Sequence, residues 1–477
     1  MVKEVKMNKY EFWFIVGSQH LYGQETLEQV DLHTKEMVEA LNKSEHLKHK
    51  IVYKGIATSA DKITNLMKEA NYRDEVAGVI TWMHTFSPAK MWIKGTKLLQ
   101  KPLLHLATQF NREIPWKTID MDFMNLNQSA HGDREYGYIN ARLKKNNKVV
   151  FGYWKDEAVQ KKIGNWMLAA IGYAASQEIK VARFGDNMRN VAVTEGDKVE
   201  AQIKFGWTVD YFAIGDLVKT IDEVTQDQVD ALLEEYKTAY DFEYDKDEED
   251  YFFDSLREQA KIELGLESFL KENGYNAFTT NFEDLYGMKQ LPGLAVQRLV
   301  SKGYGFAAEG DWKTAALNRL LKVMADNKAT GFTEDYTYEL SPGKEAVLEA
   351  HMLEVDPTLA GEKAKVIVKA LSIGGKEDPA RLIFDSKLGN AVVVSMADFG
   401  NEFKLLISDV EVVRPEEKAP NLPVARVYWK LRPDLETGVT RWIEEGGGHH
   451  SVVSMELCEE QIVDLAKMFE LKHIIIK

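Results

Sequence analysis

The chain has 477 residues, of which 45% are hydrophobic and 28% are charged, the balance of an ordinary globular protein. A chain of this length predicts about three domains, each large enough to bury a core of its own. The net charge of -15 argues against nucleic acids and anionic membranes as partners, whereas a neutral sugar would not be repelled.

Cysteine content and hydropathy restrict the compartment. Cys458 is the single cysteine of the sequence, so an internal disulfide and a thiolate zinc site are both excluded. No apolar run reaches the roughly 18 residues of a membrane-spanning helix, and the N-terminal apolar stretch is too short for a secretory signal. We therefore expect a cytoplasmic protein without a membrane partner.

The first third of the chain alternates strand and helix patterns. The predicted strands cover 12–17, 51–56, 76–82 and 102–107, and the predicted helices cover 27–41 and 60–69. Ser59 stands where it would cap the second helix. This alternation predicts a doubly wound α/β domain over residues 1–178. Ligands of such a domain bind beyond the carboxyl ends of its strands, where the sequence places polar and aromatic clusters such as Trp82-Met83-His84.

The middle third repeats this pattern and predicts a second doubly wound α/β domain over residues 179–328. The predicted strands cover 179–184 and 277–282, and the predicted helices cover 226–240, 254–270 and 311–325. The acidic segment 241–250 is more typical of a solvated loop than of a cation site. Residues 303–308 fit a loose G-x-G-x-x-A pattern, but the segment before them looks helical rather than extended, so we expect no nucleotide site there.

The last third changes character. From about Gly331 onward, short runs rich in Val, Ile and Tyr are separated by turn residues, and one helical pattern lies near 459–469. This predicts a mostly antiparallel, barrel-like β domain over residues 329–477. The predicted fold class is therefore α/β, with two doubly wound domains of the Rossmann or flavodoxin type followed by that β domain.

Several carboxylates and histidines in the second half of the chain could bind a metal ion or take part in catalysis. They are Glu309, Glu334, Asp335, His351, His449 and His450. Two glutamates and two histidines would form a mixed oxygen and nitrogen ligand set, which suits Mn²⁺ or a similar divalent ion with positions open for a substrate. Each residue alone has a commoner role, as a solvated loop glutamate, a core histidine or part of a surface turn. No spacing matches a motif such as H-E-x-x-H, so spacing alone supports a metal site only weakly.

Long and unusual blocks of sequence occur in one order along nearly the whole chain. They include EFWFIVGSQHLYG (11–23), TWMHTFSPAKMW (81–92), MNLNQSAHGDREYGYI (124–139), GYGFAAEGDWKTAAL (303–317), HMLEV (351–355) and GGGHH (446–450). From about residue 10 to the C-terminus, the sequence resembles the L-arabinose isomerase family. The resemblance implies a three-domain aldose–ketose isomerase that converts L-arabinose to L-ribulose through an enediolate, and that also converts D-galactose to D-tagatose.

The resemblance also implies the site and the assembly. Glu309, Glu334, His351 and His450 would bind one Mn²⁺, with Co²⁺ or Mg²⁺ as substitutes, and the two glutamates would be the proton-transfer pair. The residues that would line the sugar pocket are Gln19, Leu21, Phe86, His131, Met188, Phe282 and Ile373. His131 is expected to come from a neighbouring subunit, because family members are trimers or hexamers with sites at subunit interfaces. A metal-assisted hydride shift is the alternative mechanism.

Some positions depart from the usual pattern of the family. Glu349 stands in place of glycine, Thr333 in place of methionine, Ser451 in place of threonine and Ala307 in place of a frequent glycine. On a strand, Glu349 would share a face with His351. Its carboxylate would then raise the affinity for the metal, or raise the pKa of a catalytic glutamate by repulsion between like charges.

Two alternative functions follow from the same residues. The first is isomerisation of another aldose, such as L-fucose or D-galactose, which a comparison of turnover across several aldoses would detect. The second is a sugar-binding or regulatory protein without catalysis. The presence of both glutamates and both histidines favours the enzyme.

Overall fold

The computed structural model describes residues 10–371, 375–400 and 402–477. No helix within these ranges is both long and apolar enough to cross a bilayer. The chain divides into two compact units. We call the described residues up to Ala174, together with Val463–Glu470, the N-terminal unit, and Ala175–Ile462 with Leu471–Lys477 the C-terminal unit.

The N-terminal unit is built on a sheet of five parallel strands. These are β1 Glu11–Gly17, β2 Lys50–Ala57, β3 Val76–Met83, β4 Leu103–Ala107 and β5 Lys148–Phe151. Their order is β2-β1-β3-β4-β5, and every pairing is parallel. The order reverses at β1, as in flavodoxin-like sheets. The first four strands confirm the predictions from the sequence, and the sequence analysis had not identified β5.

Helices connect these strands. They are α1 Gly23–Asn42, α2 Ala60–Tyr72, α3 Ile93–Leu98, α4 Met121–Leu126, α5 Ser129–Arg142 and α6 Glu157–Ser176. The side chain of Ser59 accepts a hydrogen bond of 3.3 Å from the backbone N–H of Lys62, which confirms it as the cap of α2. Every residue of β3 is buried, as expected for a parallel strand with helices on both faces of its sheet.

The C-terminal unit begins with a second parallel sheet. The strands of this part of the chain are β6 Lys180–Phe184, β7 Thr208–Phe212, β8 Asp241–Phe242, β9 Ala277–Thr280 and β10 Gly305–Ala307. All of them except β8 belong to this sheet. The order β10-β9-β6-β7 is parallel throughout. The helices of this part are α7 Lys198–Phe205, α8 Ile214–Asp222, α9 Gln226–Ala239, α10 Glu249–Asn273, α11 Leu294–Ser301 and α12 Trp312–Met324. Parallel sheets in the first two thirds of the chain confirm that part of the fold prediction.

The last third is mostly antiparallel, as predicted. Its strands are β11 Thr330–Glu339, β12 Ala346–Ala350, β13 Lys365–Val368, β14 Ala380–Ile383, β15 Gly389–Asp398, β16 Phe403–Val412, β17 Arg426–Leu431, β18 His450–Ser454 and β19 Lys472–Ile476. Two helices, α13 Leu435–Glu444 and α14 Glu459–Met468, interrupt them. Antiparallel pairing runs through β15-β18-β11-β12-β17-β16, β15 also pairs with β16, and β19 joins β16 in parallel. The barrel-like closure and the domain limits at 178 and 328 stay predictions.

Helix α12 links the parallel sheet to β11 and is buried along its whole length. Its two buried lysines are both paired with carboxylates. Lys313 Nζ lies 3.1 Å from Asp311, the residue that caps the helix, and Lys322 forms an ion pair with Asp356. Buried charges need partners of this kind. The Lys313 pair lies at the start of α12, where the candidate site lies, and the Lys322 pair lies near the end of the helix.

Candidate functional site

Glu309 lies in a tight turn between β10 and α12. Its φ of +63° is in the left-handed region, which residues other than glycine seldom adopt, and Gly310 follows at +78°. The backbone N–H of Met188 donates to the carbonyl of Glu309 at 3.0 Å, and that of Gly310 donates to Thr280 at 3.1 Å. Such strained residues persist only where their surroundings hold them, and they cluster at functional sites.

Strand pairing brings the other candidate ligands to this turn. Glu334 on β11 lies directly opposite His450, the first residue of β18. On its other side Glu334 lies opposite Ala350, the last residue of β12, and His351 follows at once. Three strands therefore place one carboxylate and two imidazoles side by side.

The structure places the four residues named from the resemblance close together. Glu309 Oε2 is 3.7 Å from His450 Nε2, and Glu334 Oε2 is 3.7 Å from His351 Nε2. His449 also faces the site, with its Nε2 3.7 Å from Glu309 and 3.8 Å from Glu334. Glu309, His449 and His450 offer ligand atoms that all lie within 4.8 Å of one another. The cluster is thus larger than the four residues of the sequence analysis.

Each buried imidazole is oriented by a carboxylate on its far side. His450 Nδ1 donates to Asp311 Oδ2 at 2.9 Å, and His351 Nδ1 donates to Glu354. Both Nε2 atoms are thereby directed at the glutamates. Histidines that bind metals are typically held in this way, because the outer hydrogen bond fixes the tautomer and raises the basicity of the ligand nitrogen.

Two buried atoms of the site make no hydrogen bond to the described residues. They are Glu309 Oε2 and His450 Nε2, which face each other. Buried polar atoms are nearly always satisfied, so such a pair calls for a missing partner. A divalent cation bound by a carboxylate oxygen and an imidazole nitrogen would satisfy both atoms. The residues present therefore fit a metal ion of the Mn²⁺ type.

The charges of the site favour a cation. Burial alone would lower the pKa of His351, but the charges of Glu354, Glu334 and Glu309 raise it to about 9. Burial would likewise raise the pKa of Asp311, but the positive charge of Lys313 and the hydrogen bond from His450 hold it well below its ordinary value. The electrostatic potential at the imidazoles is thus strongly negative, as expected at a site that binds a cation.

The residues predicted to line the sugar pocket are found in both units. In the C-terminal unit, Phe282 lines a small pocket with Glu309 and His351, and Met188 contacts Glu309 through its backbone N–H. In the N-terminal unit, Phe86 stacks on His131 with ring centroids 4.3 Å apart. Gln19 and Leu21 follow β1, and Leu21 is largely exposed. Ile373 lies outside the described residues.

Sequence analysis did not identify Asp311 and Glu354, which orient the two histidines. It noted His449 but did not include it in the ligand set. The signal that could have identified the carboxylates is an acidic residue two or three positions after a candidate ligand: Asp311 after Glu309, and Glu354 after His351. Glu354 reaches back to His351, whereas Asp311 bonds His450, which lies far from it in the sequence.

Three of the four departures from the family pattern, Glu349, Thr333 and Ser451, contact one another. Glu349 is fully buried and accepts hydrogen bonds from Thr333 Oγ1 at 2.9 Å and from Ser451 Oγ at 3.3 Å. The expectation that Glu349 acts on the same face as His351 is not met, because β12 ends at Ala350 and His351 turns instead toward Glu334 and Glu354.

The neighbouring Asp335 belongs to the same buried polar group. Burial, together with the charge of Glu349, raises the pKa of Asp335 well above its ordinary value. Burial also raises the pKa of Glu349. The two carboxyl groups therefore hold a proton more readily than isolated carboxyls do.

Known proteins match the chain along almost its full length. Family models match for the N-terminal domain of L-arabinose isomerase over residues 6–178, the central domain over 180–327 and the C-terminal domain over 329–472. L-arabinose isomerase 1 of Clostridium acetobutylicum is 66% identical over 99% of this chain and 97% of its own length. The L-arabinose isomerase of Oceanobacillus iheyensis is 65% identical over 99% of both chains, and that of Geobacillus stearothermophilus is 55% identical over 99% of this chain and 95% of its own. The chain therefore belongs to the L-arabinose isomerase family.

Proposed function

We propose that this chain is an enzyme that converts L-arabinose to L-ribulose with one divalent ion, Mn²⁺ by preference, held by Glu309, Glu334, His351 and His450. The observation that supports metal binding is the pair of buried, unpartnered atoms Glu309 Oε2 and His450 Nε2. They lie in a cluster whose histidines are oriented by carboxylates bonded to Nδ1. The names of the relatives support the substrate. Co²⁺ or Mg²⁺ would serve as substitutes for Mn²⁺.

The reaction moves one proton from C2 to C1 of the sugar and another from O2 to O1. When bound, the ion would polarise the carbonyl and stabilise the negative charge that develops on oxygen. One of the pair Glu309 and Glu334 removes the proton from C2, which gives an enediolate, and the proton is then returned to C1. The other carboxyl group transfers the hydroxyl proton between the two oxygens. Each such group contributes about 10²–10⁴-fold to the rate.

Removal of the metal should abolish turnover, and Mn²⁺ should restore it. The reason is that the glutamates alone do not stabilise the charge on the sugar oxygen. The measurement is L-ribulose formation by chelator-treated protein before and after addition of Mn²⁺, with circular dichroism as a control for folding. Undiminished turnover by folded protein whose metal content is far below one ion per chain would contradict the metal requirement.

Proton transfer predicts that solvent deuterium enters the product at C1. In D₂O, the L-ribulose formed from ordinary L-arabinose should carry deuterium at C1, as measured by NMR, because the carboxyl group that returns the proton exchanges with solvent. The reverse experiment uses L-arabinose deuterated at C2 in ordinary water. Complete retention of that deuterium at C1 would instead support the hydride shift.

Some finer features of the family complete the proposal. D-galactose has the configuration of L-arabinose around the reacting carbons, so we propose that it is converted to D-tagatose.

The protein would be cytoplasmic and would form a homohexamer or a pair of trimers, in which a neighbouring subunit supplies His131. Exposed apolar side chains of the N-terminal unit, such as Trp116 and Phe151, support an interface there. The chain would fold as three domains, with β11, β12 and β15–β18 closed into a barrel.

A further inference from the structure

The strands that carry the proposed metal ligands also carry a buried polar group on their reverse face. Successive side chains of a strand point to opposite faces, so Glu334 lies on one face of β11 while Thr333 and Asp335 lie on the other. Thr333 is directly opposite Ser451, and Asp335 is directly opposite Glu349. The polar group therefore lies directly behind the site.

Glu349 accepts one hydrogen bond from Thr333 and one from Ser451, and we call these three residues the clamp. Besides the two bonds to the carboxylate, the hydroxyl groups of Thr333 and Ser451 lie 3.3 Å apart. All three side chains are completely buried. Because β12 pairs with β11 and not with β18, the carboxylate of Glu349 reaches across β11 to the strand beyond it.

Each member of the clamp is close in sequence to one proposed ligand. Thr333 precedes Glu334, Ser451 follows His450, and Glu349 is two residues before His351. A shift of any one of the three strands would therefore move a ligand. Backbone pairing alone leaves each strand some freedom to slide and twist, whereas hydrogen bonds between buried side chains of three strands restrict that freedom.

A buried carboxylate is a costly way to fill this space. Apolar side chains of similar size would stabilise such an interior at least as well. We propose that Glu349, Thr333 and Ser451 are positioning residues, whose clamp holds Glu334, His351 and His450 at the spacing that one divalent ion requires; this inference rests on the proposed function.

The same pair of strands provides a matched control. Thr330 lies opposite Ser454, also joins β11 to β18 through a buried hydroxyl pair at 2.7 Å, and has no place in the clamp. Thr333→Val and Thr330→Val thus each remove one hydroxyl group from the same strand pair. Both should lower the midpoint of thermal unfolding to a similar extent, because each leaves a buried partner without its hydrogen bond.

Only the clamp variant should weaken metal binding. Calorimetric titration of the metal-free proteins with Mn²⁺ should show an increase in Kd of about tenfold for Thr333→Val, the lower end of the range for residues outside the ligand shell. Ser451→Ala and Glu349→Gln should act in the same direction, and Thr333→Ser, which keeps the hydroxyl, should bind Mn²⁺ like the wild type. Thr330→Val should also bind like the wild type.

The outcomes separate this inference from the proposed function. If the wild type binds Mn²⁺ and Thr333→Val binds it as tightly as Thr330→Val does, the clamp is structural only and the proposal is overturned. If Thr333→Ser fails to restore the affinity, the hydroxyl group is not the cause and the proposal is again overturned. A wild type that binds no Mn²⁺ overturns the proposed function, and the clamp with it.

Discussion

Replacement of either Glu309 or Glu334 by glutamine is expected to lower kcat by about 10²–10⁴-fold while the protein stays folded. The carboxamide has nearly the same shape as the carboxylate but neither accepts nor delivers a proton. Glutamine also removes one negative charge beside histidines whose Nε2 atoms lie 3.7 Å away. The measurement is L-ribulose formation at saturating Mn²⁺, with the Mn²⁺ affinity of each variant determined separately.

Saturation with Mn²⁺ separates the two roles of these residues. A loss of turnover that Mn²⁺ reverses reflects weaker metal binding, whereas a loss that persists reflects the missing proton transfer. Glu339→Gln is the control, because Glu339 lies on the same strand as Glu334 and interacts with the exposed turn at Ser341. Turnover near the wild-type value in both Glu309→Gln and Glu334→Gln would exclude them as the acid–base pair.

The fold could be predicted where local sequence determines the element. The continuous apolar run of β1 and the buried β3 have the composition of parallel strands, and Ser59 has a side chain that suits a helix cap. The strand β5 was not identified, because it has only four residues and two of them are exposed. Helix α13 was not identified either, because Gly438 and its threonines give its sequence a weak helix propensity.

The site could not be predicted from spacing, because tertiary pairing assembles it. Glu309 comes from a turn, Glu334 from β11 and His450 from β18, and no periodicity of the sequence relates a turn to two strands far apart in the chain. The resemblance to the L-arabinose isomerase family indicated the four proposed metal ligands, which the spacing of residues did not. The orienting role of Asp311 required coordinates, because its partner His450 lies far from it in the sequence, whereas Glu354 stands three residues after its partner His351.

The position of Glu349 shows a second limit of sequence reasoning. The alternation of side chains along a strand predicts its face correctly only as far as the strand continues. The end of β12 at Ala350 releases His351 from that alternation, and the end of a strand is the least certain part of any sequence-based prediction. The contact of Glu349 with Thr333 and Ser451 then follows from pairing across three strands.

Gly310→Ala is expected to lower kcat by about 100-fold, the typical cost of misplacing a reacting group by about 1 Å. A Cβ at this position would lie 2.6 Å from Asn187 Cα and 2.7 Å from the carbonyl oxygen of Asp186. These atoms belong to the backbone and have no freedom to rotate away, so the turn itself must move. Glu309 is the preceding residue, and its carboxylate would move with the turn.

The control is Gly274→Ala, which separates backbone conformation from displacement of the site. Gly274 has a nearly equal φ of +74° at the end of α10, but a Cβ there would meet no atom within 4 Å. The free energy of unfolding of Gly274→Ala should therefore fall by only about 1–2 kcal/mol, the cost of an alanine in the left-handed conformation, and its turnover should not change. Gly310→Ala should lose more stability than that, and its Kd for Mn²⁺ should rise. Equal turnover in the two variants would show that the turn does not set the position of Glu309, because the steric difference between the two glycines would then have no effect on the site.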